Sequence, residues 1–126
     1  MHSWIVPFPL DATTRRLVPL LESAHIEPVL RIEHSSPPAS PEESRGTLFL
    51  ISRPDWLRLV QETNPRAALE IPLHLYLCAH GERTEILFRT ARECLAPYPD
   101  PCLQKIARRI DEACAAILDQ LGDPTG

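Results

Sequence analysis

Glycine is scarce in this 126-residue sequence: there are four, and no glycine-rich run. A phosphate-cradling loop needs closely spaced glycines so that backbone amides can approach the anion, so that class of site is excluded. The four cysteines, Cys78, Cys94, Cys102 and Cys114, contain no C-x-x-C pair, and without secretion no disulfide framework is expected. No stretch approaches eighteen consecutive apolar residues, so no membrane-spanning helix is expected. Positive charge is also short. Thirteen Lys and Arg face seventeen Asp and Glu, a net charge of −4, whereas non-specific nucleic-acid binding needs a basic surface that displaces counterions. The N-terminal stretch Met1-His2-Ser3-Trp4 lacks the basic start and long apolar run of a signal peptide. Reduced thiols in a cytoplasmic protein are therefore the expectation.

What is present is ordinary for a globular domain: 44% apolar and 24% charged residues. The length predicts one domain over residues 1–126. Proline stands out. Fourteen prolines are roughly twice the usual share, and most fall where segments begin or end.

Ser3 to Phe8 reads as a strand with Trp4, Val6 and Phe8 on one face, and Pro7 puts it at a sheet edge or near its own end. A first helix follows, with Asp11 as N-cap and Thr13 or Thr14 as rivals. Its stripe is Leu17, Leu20, Leu21 and Ala24, with Pro19 expected to kink or shorten it. Pro28 to His34 alternates, with Val29, Arg31 and Glu33 on one face and Leu30 and Ile32 on the other, the pattern of a half-buried strand. Residues 35–45, rich in Ser, Pro and Glu, form a surface loop. Gly46 to Ser52 is nearly all apolar and predicts a central strand. Ser52 and Asp55 open the next helix as an S-x-x-D pattern; Trp56, Leu57, Leu59 and Val60 face inward, and Asn64-Pro65 ends it. A short turn over Arg66 to Leu69 leads onward.

The next stretch is the most informative. Leu73, Leu75, Leu77 and Ala79 alternate with His74, Tyr76, Cys78 and His80, and Gly81-Glu82 supplies a two-residue loop of type II′. Closing the ladder on that turn pairs His80 with Arg83, Cys78 with Glu85, Tyr76 with Leu87 and His74 with Arg89. On the other face Leu77 meets Ile86 and Leu75 meets Phe88. A slip of one residue would destroy both faces at once. The last helix, residues 100–121, starts at Asp100-Pro101 and carries Leu103, Ile106, Ile110, Ala113, Ile117 and Leu121 at helical spacing; Gly122 and Pro124 stop it. The order is β-α-β-β-α-β-β-α. It predicts an α+β two-layer sandwich: a mostly antiparallel sheet of about five strands with helices on one face.

Three stretches, "LFLISRP" from Leu48, "NPRAALEIPLHLYL" from Asn64 and the hairpin to Arg89, carry a family resemblance. A strand ends in Arg53-Pro54, an amphipathic helix follows, and Leu69-Glu70-Ile71-Pro72 steps into an alternating strand. In these packing motifs the chain resembles the domain-of-unknown-function 302 family over most of residues 1–121. It departs from the family in having Arg53 where Asn or Gly is common. After the hairpin it has Phe88-Arg89-Thr90-Ala91 in place of Tyr and a further Pro. The resemblance implies a small α+β fold and no catalytic residue.

The candidate site is the polar face of the hairpin: His74, Tyr76, Cys78, His80, Glu85 and Arg89, with Arg83 beside them. Residues two apart on a strand lie ~6.6 Å apart, so Cys78 and His80 could reach one metal ion, with Glu85 as a third ligand. The competing reading is a solvated face or a dimer seam. Cys94 and Cys102 could approach one another. Cys114 is a small buried hydrophobe on the last helix, and Arg108-Arg109 belongs to its solvated face. No cofactor is expected, and Zn or Cu is the alternative. The leading reading is a non-enzymatic binding or self-association module, a homodimer using the open sheet face. A soft-metal or thiol-reactive protein is the alternative.

Overall fold

Gly81 sits at φ +62°, and Glu82 after it keeps a negative φ, which is the type II′ signature. That turn joins β4 (Leu73–His80) to β5 (Arg83–Phe88) in the register the sequence predicts, from His80–Arg83 through Leu75–Phe88. β5 ends at Phe88, so Arg89 lies one residue past the ladder and the expected His74–Arg89 pair does not form part of it. The structure, a computed structural model, describes residues 1–35 and 45–122; most of the 35–45 loop and Pro124 lie outside the described residues.

Around the hairpin lie β1 (His2–Val6), β2 (Glu27–Ser35) and β3 (Arg45–Ser52). The sheet has five strands in the order β1-β5-β4-β3-β2, with every neighbouring pair antiparallel. β1 is an edge strand, consistent with Pro7 just past its end. The helices are α1 (Leu10–Ser23), α2 (Pro54–Thr63), a short α3 (Ala91–Leu95) and α4 (Pro101–Leu121), with a 3₁₀ turn over Pro65–Glu70. The element order therefore matches the expected α+β pattern, with α3 added.

The core forms where one sheet face meets α1, α2 and α4. From the sheet come Val6, Phe49, Ile51, Leu73, Leu75, Leu77, Ile86 and Phe88. The helices answer with Leu17, Leu21, Trp56, Val60, Leu103, Ile110 and Ile117. Burial at roughly 25 cal/mol per Å² of apolar surface is what holds the layers together. Two hydroxyls share this interior without cost. The Thr13 hydroxyl donates to Thr84, 3.1 Å away, and the Thr84 hydroxyl donates to the Phe8 carbonyl at 2.8 Å.

Several boundaries differ from the sequence reading. α1 starts one residue before Asp11, with Pro9 as N-cap, and it runs through Pro19 to Ser23. It ends in a Schellman motif: the Ile26 amide bonds the Leu21 carbonyl and the His25 amide bonds Glu22, with His25 at φ 60° where glycine is usual. Ser52 is the last residue of β3 and not a cap; Arg53 is the N-cap of α2, because Pro54 fills the first helical position. Leu57 on α2 is exposed rather than inward. β2 departs most. A bulge at Val29 breaks its alternation, and Val29, Leu30, Arg31, Ile32 and Glu33 are all exposed. As the sheet margin opposite β1, it is only flanked by α1: the Arg31 guanidinium lies 5.6 Å from the Phe49 ring on the helix side, and these side chains stay open to water.

Arg53 acts as a clamp. Its guanidinium grips Asp55 through two bonds of 2.6 and 2.7 Å, reaches the Ala24 carbonyl at 3.5 Å and lies 5.6 Å from the Trp56 ring. It thus ties the end of α1 to the start of α2.

Candidate functional site

The antiparallel registers line side chains up in rows across the open face. Ser3, Leu87, Tyr76, Leu48 and Ile32 stand opposite one another, strand to strand, from β1 to β2. On one flank run Ile5, Glu85, Cys78, Gly46 and His34; on the other, His74, Leu50 and Leu30. Leu87, Tyr76, Leu48 and Ile32 make a continuous apolar row, with Leu50, Leu30 and Ile5 beside it. Ile5 is 58% exposed, Ile32 48% and Leu30 47%. Among the described residues no helix lies on this side: the buried side chains of β3, β4 and β5 point the other way, and Gly46 is buried here by the Tyr76 ring.

His74, Tyr76, Cys78, His80 and Glu85 occupy this face but do not converge, and Arg89 lies past the end of β5. Tyr76 lies across Gly46: a Cβ built on Gly46 would fall 2.0 Å from the Tyr76 hydroxyl oxygen and 2.4 Å from the adjoining ring carbon. The ring is seated on the backbone of β3. Glu85, opposite Cys78, accepts from the Ser3 hydroxyl at 3.3 Å, and its other oxygen is 3.6 Å from His80 Nε2. Cys78 is half-buried, whereas His74, His80 and Arg89 are exposed. Among the described residues no group of three or more His, Cys, Asp or Glu is placed to hold a metal ion.

The other thiols are separate from this face and unpaired. Cys94 is buried on α3, while Cys102 is exposed on α4, and no disulfide joins them. Burial pushes the Cys114 thiol up to about 12, helped by the negative charge of Asp111, so it packs as a small hydrophobe. Arg108 and Arg109 are exposed, as expected.

A second concavity, of about 990 Å³, lies between β1, α3 and α4 and includes Trp4, Thr90, Glu93, Gln104, Arg108 and Asp111. The sequence reading missed α3 and this cleft, although Thr90-Ala91-Arg92-Glu93 carries the T-x-x-E signal of a capping box, and the box forms. Asp111 of α4 completes the cap by accepting from the Ala91 and Arg92 amides at 2.7 and 3.1 Å. Burial pushes its carboxyl up from the ordinary value, against the pull of those two amides. Gln104 donates to the Leu95 and Tyr98 carbonyls at 3.2 Å each. Gln104 and Asp111 thus hold α3 and its following turn to α4.

Among the described residues no helix is long and apolar enough to cross a membrane. No family model matches the sequence, and no curated protein does. Among solved structures the chain is similar to an uncharacterized conserved protein, DUF302, from Bacillus stearothermophilus. The TM-score is 0.84 at 17% identity, covering 95% of this chain and 96% of that one. At that identity the likeness establishes a shared fold, and the chain resembles the domain-of-unknown-function 302 family in architecture.

Proposed function

We propose that this chain is a non-enzymatic binding and self-association module whose contact surface is the open sheet face. The observation that carries this is the row Leu87, Tyr76, Leu48 and Ile32, apolar across four strands and without a covering layer among the described residues. A two-layer α+β fold that leaves such a row in water loses the free energy of burying it, and stacking a second sheet ~10 Å away recovers it. A second copy fits because the row is flanked on both sides by mixed residues. A two-fold axis through its middle lays apolar on apolar without opposing a field of one sign. Tyr76 suits the centre of such a contact, bringing a large ring already held in place by Gly46.

The test is light scattering after size exclusion on the full chain and on Leu87→Glu. Leu87 lies on β5, one strand in from the β1 margin, and its half-buried side chain is on the open face, so its replacement leaves the core alone. The expected result is that the natural chain contains at least two copies and that Leu87→Glu halves its mass. A Leu87→Glu protein with unchanged mass overturns the reading.

A further inference from the structure

The margin of the sheet is itself unfinished. β2 is a nine-residue edge strand, and an exposed apolar edge is a template for another strand. Its protections, Pro28 and the bulge at Val29, both sit at its start. From Leu30 onward the strand has neither, and Leu30 and Ile32 are about half exposed. β1, the opposite edge, is only five residues long and is followed by Pro7.

The charges along β2 indicate what the edge takes. Arg31 and Glu33 lie on one face, two residues apart, 2.6 Å from each other within the chain and both exposed. An antiparallel copy of the same strand centred on Ile32 sets each Arg31 opposite the partner's Glu33. In that register Ile32 faces Ile32, and Leu30 faces His34. Opposite charges directly across a ladder favour the pairing and like charges disfavour it. Centring one residue earlier, on Arg31, would oppose two arginines. The strand is therefore self-complementary in one register and self-repelling in the next.

We propose that β2 pairs antiparallel with β2 of a second copy, centred on Ile32, joining two five-stranded sheets into one. Arg31 and Glu33, the charges that select this contact, lie on the opposite side of the strand from the apolar row, so substituting them leaves the open face unchanged, while Ile32 belongs to both contacts. Together the two contacts make a four-chain assembly: two edge-joined pairs stacked through their open faces. The ladder's backbone bonds and the Ile32 contact supply most of the edge affinity, and the charges select the register, because exposed ion pairs contribute little.

The test uses the full chain with Arg31→Glu, Glu33→Arg and Leu87→Glu, each checked for folding by circular dichroism. Arg31→Glu clusters four carboxylates at the proposed seam, and Glu33→Arg clusters four guanidiniums. Each alone should halve the mass of the natural assembly, and mixing the two in equal amounts should restore it, because every cross-strand pair is then of opposite sign. Arg31→Glu combined with Leu87→Glu should be a monomer, whereas Leu87→Glu alone keeps the edge pair. If Arg31→Glu and Glu33→Arg each leave the mass unchanged, the edge contact is overturned whatever Leu87→Glu does. If mass is lost and not restored on mixing, the register centred on Ile32 is overturned.

Discussion

Leu77 and His74 are three residues apart on β4 and point to opposite sides of the sheet, so together they test the register on which every surface assignment depends. Leu77 is fully buried in the helix-covered core. Leu77→Ala removes three carbons, and at about 0.8 kcal/mol each the lost transfer free energy is roughly 2.5 kcal/mol. The fixed sheet on one side and α1 and α4 on the other leave little room to collapse. A cavity cost is therefore added, and the total should reach about 3–4 kcal/mol. His74→Ala changes an exposed side chain and should shift stability by less than about 0.5 kcal/mol in the isolated chain. Urea denaturation, followed by far-ultraviolet circular dichroism in the Leu87→Glu background, measures both without a contribution from the open-face contact. Equal costs for the two substitutions would mean that β4 does not present alternate residues to core and surface, and the apolar row would lose its basis.

Gly81→Val should destabilise by about 1–3 kcal/mol although the position is open. A Cβ there meets nothing within 4 Å, so the whole cost is a β-branched residue held at φ +62°, and Gly81→Asn should recover part of it in the same denaturation assay. Asp111→Ala leaves the Ala91 and Arg92 amides without their acceptor and should cost about 1–3 kcal/mol, with faster amide exchange in α3. The pH dependence has a defined sign. Burial raises the folded-state pKa of Asp111, so its contribution is full below the ordinary 3.8 and is lost as pH rises through the raised value. Across that window Asp111→Asn should show less loss of stability than the natural chain, and an identical pH profile would show that the carboxyl is not raised.

The parts legible in sequence were those with two constraints acting together. In the β4–β5 hairpin, period-two alternation and the turn at Gly81 each fix the register, and they agree. α4 has six apolar positions at helical spacing and an Asp-Pro start, so no other assignment competes. β2 shows the limit. Its pattern says that Leu30 and Ile32 share a face, but no pattern reports whether anything covers the other face, and at the margin Val29, Arg31 and Glu33 stay exposed. α1 ends with His25 in the conformation usually given to glycine, so its stop signal was hidden. The S-x-x-D reading at Ser52 set the start of α2 one residue early, because the fixed φ of Pro54 decides it. The alternation placed His74, Tyr76, Cys78 and His80 on one face of β4, as the ladder has them, but Arg89 falls past the end of β5, and Tyr76 and Gly46 meet across β3 and β4 in a contact that needs a register between strands far apart in the chain.

The seating of Tyr76 on Gly46 also constrains how the two positions can change during evolution. Any side chain at 46 requires the ring at 76 to leave, and a ring that leaves uncovers the β3 backbone and removes the centre of the apolar row. Gly46→Ala alone and Tyr76→Ser alone are therefore both damaging, while a chain that acquires alanine at 46 gains nothing by keeping tyrosine at 76. The two sites are epistatic. Among relatives that keep this fold, glycine at the first position should be found with an aromatic at the second, and the loss of one should accompany the loss of the other.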